Sequence, residues 1–262
     1  MLDLDGLILD MDGVLWRGPE PMAGLTSFFH TLERLAMPFV LATNNSTGSA
    51  EQYTLKLAQM GVQVPPERIL TSASATADYL LEEGEPGAPV YVIGEEALQT
   101  TLQSRGFRLT ADGARFVVVG LDRGLTYEKL ATAMRLIANG ARFIGTNPDR
   151  TLPTPDGFRP GAGTILAAVS AASGVEPAIV GKPQPPMIRQ ALRVLGTAPA
   201  RTAMVGDRLD TDILGGKNAG TRTILLLSGV TRREQVDGSA VQPDWILADI
   251  RALGAALSQD AA

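Results

Sequence analysis

The chain has 262 residues, enough for one large domain or two smaller ones with a substantial core, and mixes 45% hydrophobic with 19% charged residues. It has no cysteine, which excludes a disulfide framework, a thiolate nucleophile and a sulfur-ligated metal, so any metal must be held by oxygen. A net charge of −5 gives no general footprint for nucleic acid or an anionic membrane, and no apolar run approaches the roughly 18 residues that suggest a membrane span.

Within "LILDMDGVLWRG" a short apolar run ends in Asp10 and Asp12, and the opening twelve residues of the chain hold four aspartates and no basic residue. That is the opposite of a secretory or transit peptide, and a cytoplasmic location is expected. In extended backbone, residues two apart point to one side, so both carboxylates can face one small volume at the strand's end. Close like charges then require a cation, or one carboxyl must hold a proton. The competing reading is a simple Asp-Gly turn after a strand.

The apolar spacing of "LTSFFHTLERLAM" predicts a helix, which makes the only histidine, His30, an ordinary helix residue and argues against a serine-histidine hydrolase or histidine-rich zinc site. Next, "PFVLATNN" reads as a strand running into Thr43, Asn44, Asn45 and Ser46. Their hydroxyl, amide and backbone N–H groups suit an uncharged anion cradle, and equally an ordinary polar turn before the helix "AEQYTLKLAQMG". After "RILTS" a further α/β series follows, with strands at "VYVIG", "RFVVVGLD" and "RFIGTN".

The rhythm of the first block resumes with "MIRQALRVLG", "TAMVGD", "DILGGKNAG", "TRTILLLSG" and a closing helix "ADIRALGAAL". Alternating strands and helices indicate an α/β fold with a parallel sheet, and ligands bind such sheets beyond the carboxyl ends of strands at a topological switch point. Asp10, Thr43 and Asp207 are the residues expected to meet there. The stretch from Thr43 to Lys182 is far too long for a loop and predicts an inserted domain at about 74–178, leaving 1–73 and 179–262 as a discontinuous core. The terminal "SQDAA" reads as a frayed end.

Lys182 stands between Gly181 and Pro183 in a chain whose usual cation is arginine, and a compact ammonium can reach a phosphate oxygen and a carboxylate together. In "VGDRLDTDI", capping by Asp210 or Thr211 is expected but leaves Asp207 unexplained. A Mg²⁺ ion takes one or two carboxylates beside waters and substrate phosphate, and Asp10 and Asp207 could supply that pair.

In this order, "DMDGVLWRG", "TNNS", "GKP" and "GDRLDTDI" resemble the motifs of the haloacid dehalogenase superfamily of phosphotransferases. The segment "TNPDRTLPTPDGFRPGAGTILAAVSAASG" leading into "GKPQPPM" is similar to its NagD-type (type IIA) branch, the 4-nitrophenylphosphatase and phosphoglycolate phosphatase-like enzymes, so the resemblance covers nearly the whole chain. It implies a doubly wound, Rossmann-like core with a smaller α/β cap inserted after the third core strand. It further implies that Asp10 is the nucleophile, forming an aspartyl-phosphate, and that Asp12 is the general acid and base, with its backbone carbonyl on the metal. Thr43 and Asn44 would hold the transferring phosphoryl group with Asn45 beside them, and Lys182 would neutralise it and orient Asp10. Asp207 would ligate Mg²⁺ together with Asp10, while Asp212 would position a metal-bound water or Lys182.

The family reading predicts hydrolysis of a small phosphorylated metabolite, with sugar phosphates, phosphoglycolate, glycerol phosphate, pyridoxal phosphate, nucleoside monophosphates and aryl phosphates as candidates. It predicts neither a nucleic-acid nor a membrane partner, and allows a homodimer through the caps. A phosphomutase shares Asp12 and is the alternative within the superfamily; outside it stand a signalling receiver and a silent phosphate binder. In the cap, Asn147 and Asp149 of "GTNPDR" could contact substrate or serve as turn residues. The glycines Gly161 and Gly163 could cradle phosphate or, the preferred reading, let a helix pack closely.

Overall fold

The computed structural model describes residues 2–84, 86–154 and 157–259. Two compact units divide the chain: one gathers residues up to 43, 50–70 and 182 onward, the other 44–49 and 71–181. The divisions thus fall at 70/71 and 181/182 rather than at 73/74 and 178/179, and the short segment after Thr43 groups with the second unit.

The first unit is built on a six-stranded sheet in the order Trp245–Leu247, Arg222–Leu226, Thr202–Gly206, Gly6–Leu9, Phe39–Thr43, Ile69–Thr71. From Trp245–Leu247 through Phe39–Thr43, every neighbouring pair is parallel. Central parallel strands are covered on both faces, so they read as unbroken apolar runs. Leu7, Ile8 and Leu9 have no exposed surface, and each contributes about 1.5–3 kcal/mol by leaving water.

The helix Leu25–Arg34 buries Leu25, Phe28, Phe29 and Leu32, a single stripe at helical spacing, and packs beside the closing helix Ile250–Gln259. Pro185–Leu195 begins on proline, ends at Gly196 in the left-handed conformation, and packs against Phe39–Thr43 and Gly6–Leu9. The closing helix includes Ser258 and Gln259 of the expected frayed end; residues 260–262 lie outside the described residues.

Strand Gly6–Leu9 lies between Thr202–Gly206 and Phe39–Thr43, so the chain leaves it in one direction and returns on its other side. Register pairs Leu9 with both Leu41 and Val205, which brings the residues just beyond, Asp10, Thr43 and Asp207, to one end of the sheet. That is a topological switch point.

The second unit has a five-stranded, wholly parallel sheet in the order Ala178–Ile179, Arg142–Gly145, Phe116–Val119, Pro89–Ile93, Arg108–Leu109. Its core includes Val117, Val119, Phe143, Ile165, Leu166 and Val169. The helix Ser72–Glu83 starts at Thr71, whose Oγ1 accepts from the Ser74 N–H at 3.1 Å while Ser74 Oγ accepts from the Thr71 N–H at 3.0 Å. Thr151–Thr154 and Gly157–Pro160 form an antiparallel pair. No helix among the described residues is long and apolar enough to cross a membrane.

Candidate active site

Asp10 directly follows its strand, held in register by its N–H donating to Val205 O at 2.9 Å. Its carboxylate is buried, and Lys182 Nζ lies 2.6 Å from Oδ1. The same ammonium is 2.7 Å from Asp212 Oδ1 and donates to Ala42 O at 3.0 Å, the carbonyl just before Thr43. Lys182, with 1% of its surface exposed, therefore ties together the ends of two strands and the turn after a third. Thr43 is itself buried at the end of Phe39–Thr43.

Asp207 follows Thr202–Gly206, and its Oδ2 accepts the Val230 N–H at 2.7 Å. Two glycines make room for that carboxylate: a Cβ at Gly229 would overlap it, and so would one at Gly13, where φ is +83°. Asp212 Oδ2 accepts the N–H groups of Asp207 at 3.2 Å and Arg208 at 3.1 Å, which fixes the turn between strand and helix. The expected cap by Asp210 or Thr211 does not form. Arg208 occupies the cap position with no side-chain cap bond, and its guanidinium instead pairs with Asp210 at 2.8 Å. Asp212, four residues beyond Arg208, reaches the backbone N–H groups, because this turn is wound as a π-helix over Leu209–Ile213.

Asp10, Asp207 and Asp212 each bring a carboxylate oxygen within 4.8 Å of the others. Burial pushes the Asp10 carboxyl well above the usual carboxylate range, opposed by the Lys182 ammonium and reinforced by Asp212 and Asp207. Burial and Asp212 likewise push Asp207 up to about 7, against the Val230 N–H and the charges of Lys182 and Arg208. Burial alone would lower the Lys182 ammonium, but the Asp10 and Asp212 carboxylates hold it above its ordinary value. Three buried carboxylates face one ammonium, and the excess negative charge in an all-oxygen donor set fits a hard divalent cation.

Asp12 has a different environment. Its side chain is exposed, and Oδ1 accepts the indole N–H of Trp16 at 2.7 Å. One pair of carboxylates two residues apart thus has one member buried on the ammonium and the other turned toward solvent, with Met11 buried between them. His30 is exposed on its helix.

The remaining predicted residues lie within the second unit. Asn44 Nδ2 donates to Asp149 Oδ2 at 3.1 Å, and its carbonyl accepts from Asn147 Nδ2 at 2.7 Å and Ser72 Oγ at 2.6 Å. Asn147 Oδ1 accepts the Asp149 N–H at 3.1 Å, so both ends of the Asn147 amide build this network. Asn45 Oδ1 closes a turn on the N–H and hydroxyl of Thr47, both at 2.8 Å. Gly161 and Gly163 donate their N–H groups to Arg150 O and Asp149 O at 2.8 and 2.9 Å, and a Cβ on either would overlap the 148–150 backbone. Their role is the close packing of the helix Ala162–Ser173.

Sequence reasoning missed the Ala42 carbonyl, the Val230 N–H, Ser72 and Trp16. Of these only Val230 had a signal, the Ser-Gly pair immediately after the apolar run "TILLL".

A family profile described as haloacid dehalogenase-like hydrolase matches residues 7–108, and one described as HAD-hydrolase-like matches 179–253. The chain is 42% identical to an acid sugar phosphatase of Staphylococcus aureus (strain MRSA252), over 93% of its own length and 94% of the relative's. It superposes on a p-nitrophenyl phosphatase from Archaeoglobus fulgidus with a TM-score of 0.92 at 35% identity, covering 97% of this chain and 99% of that one. With NagD from Escherichia coli K-12 the TM-score is 0.87 at 38% identity, covering 94% and 97%. With its motifs, sheet order and buried aspartate-lysine cluster, the chain belongs to the NagD-type phosphatases of the haloacid dehalogenase superfamily.

Proposed function

We propose that the enzyme hydrolyses small phosphomonoesters in two steps through a phosphoryl group carried on Asp10. The observation that carries this reading is the 2.6 Å contact of Lys182 Nζ with Asp10 Oδ1, at the edge of a buried acidic cluster. The ammonium fixes one oxygen of the Asp10 carboxylate, which leaves the other to attack phosphorus. As that bond forms, the ester oxygen departs and takes a proton from Asp12. Asp12, now ionised, then accepts a proton from the water that attacks the phosphoryl group and releases Asp10. Ester and water enter, alcohol and inorganic phosphate leave, and both carboxyls return to their starting states.

Thr43 and Asn44 would hold the phosphoryl oxygens, with Lys182 supplying a fixed positive charge as negative charge shifts toward Asp10. Asp10, Asp207 and the Asp12 carbonyl would hold Mg²⁺, with Asp212 orienting Lys182 from behind. When bound, the ion supplies charge neutralisation for the phosphoryl oxygens and for the crowded carboxylates. Asp149, half-buried against Asn44, is the proposed contact for the leaving group, and Asn147 keeps that pair in place.

Sugar phosphates and aryl phosphates are the first substrates to test, since relatives are named for both. The experiment is phosphate release from a panel of small monoesters with Mg²⁺ or with chelator, using Asp10→Asn as the control. Release that requires both the metal and Asp10 supports the reading; release that survives chelation or the substitution overturns it.

A further inference from the structure

We infer that Trp16 is a positioning residue for Asp12, its indole N–H holding the carboxyl in the pose from which it exchanges a proton with the leaving-group oxygen. The inference rests on the proposed acid/base role of Asp12. An exposed aspartate ordinarily samples several rotamers, and a proton donor that must meet a departing oxygen loses rate for every pose that misses it. Here one oxygen of that exposed carboxyl receives a hydrogen bond of 2.7 Å from a side chain with no exposed surface of its own.

The donor is itself locked. The Trp16 ring stacks on Tyr53 with centroids 6.1 Å apart and planes 11° from parallel. Lys56 Nζ sits 3.9 Å from the Trp16 ring centroid and donates to Gly18 O at 3.2 Å, so the cation is also held to the turn that follows Trp16. The backbone closes the same loop, with the Gly13 N–H donating to Trp16 O at 2.8 Å and the Leu15 N–H to Met11 O at 2.8 Å.

A buried indole N–H requires an acceptor, and a backbone carbonyl would satisfy it as well as a carboxylate. This one is spent on Asp12 Oδ1. The other oxygen, Oδ2, is thereby assigned the proton: it gives the proton to the ester oxygen as the phosphorus–oxygen bond breaks, then takes one from the attacking water.

The test is the dependence of kcat/KM on the leaving group, measured from a nitrophenyl phosphate to an alkyl or sugar phosphate. A nitrophenolate departs without help, whereas an alkoxide needs the proton, so misplacing Asp12 penalises only the second kind. Trp16→Phe should slow the alkyl ester by about 10-fold or more and the nitrophenyl ester by less than about 3-fold. It should add nothing when combined with Asp12→Asn, because both changes remove one interaction. Replacing the Trp16 indole by its benzothiophene isostere keeps the stacked ring and deletes only the N–H, and should reproduce the same selective loss if Trp16→Phe folds poorly. Equal losses on both esters, or full additivity with Asp12→Asn, would overturn the inference. If Asp12→Asn itself shows no leaving-group dependence, the acid/base reading falls, and the role of Trp16 with it.

Discussion

Lys182→Met tests the electrostatic account of the site without reference to turnover. The substitution keeps a long apolar stem in a position with 1% exposure and removes the ammonium that lies within 2.7 Å of two carboxylates. Asp10, Asp207 and Asp212 are then left buried within 4.8 Å of one another, with no lysine among them. Removing one partner of a buried ion pair costs about 3–5 kcal/mol, because the remaining charge has no compensation. At about 2–4 °C per kcal/mol for a domain of this size, the first unit should melt about 6–20 °C lower than the parent in EDTA near pH 7.5. The deficit should shrink near pH 5, where Asp10 and Asp207, both raised by burial, keep their protons, and Mg²⁺ should restore part of it. Thermal melts followed by circular dichroism at the two pH values, with EDTA or Mg²⁺, make the comparison. A midpoint within about 2 °C of the parent in EDTA at the higher pH would refute the claim that Lys182 balances this charge.

The parent enzyme should show the same physics in a pH series. Asp207 has its carboxyl raised to about 7 in the folded protein. Its value in the unfolded chain is about 3.9, so the folded state binds this proton more tightly. The resulting stability is complete below about pH 4 and is lost as pH rises toward 7, by as much as ~4 kcal/mol. The difference between EDTA and Mg²⁺ melting curves should therefore widen over that interval; curves that stay parallel would contradict it. Gly229→Ala places a Cβ against the Asp207 carboxylate and should raise the Mg²⁺ concentration for half-maximal activity by about 10-fold or more, read from a metal titration. Asp12→Asn should lower kcat on a sugar phosphate by on the order of 10²–10⁴, and an unchanged rate would remove it from proton transfer.

The parts of the site that were legible in the sequence are those where an apolar run stops on a polar residue. Strands Gly6–Leu9, Phe39–Thr43 and Thr202–Gly206 end just before or at Asp10, Thr43 and Asp207, and parallel pairing brings those ends together. Lys182 could be singled out by its rarity and its place before a helix, although nothing local revealed that it would bond the Ala42 carbonyl. The illegible parts are side-chain to backbone contacts made across long separations, such as Val230 to Asp207 and Ser72 to Asn44. Trp16 carried no signal in the sequence, and its bond to Asp12 depends on a loop closed by Gly13 in a positive-φ conformation. The short strands Arg108–Leu109, Ala178–Ile179 and Trp245–Leu247 carry too few positions to display a period and were not expected.

The central claim is a phosphoryl group carried on Asp10, and the most direct measurement is peptide mass analysis of enzyme quenched in acid during turnover of a nitrophenyl phosphate. Asp12→Asn should be used beside the parent, since slowing the second step allows the intermediate to accumulate. The account predicts one added phosphoryl group on the peptide spanning Asp10, removed by hydroxylamine and absent from Asp10→Asn. Sustained turnover with no modification of that peptide, or the same modification in Asp10→Asn, would contradict it.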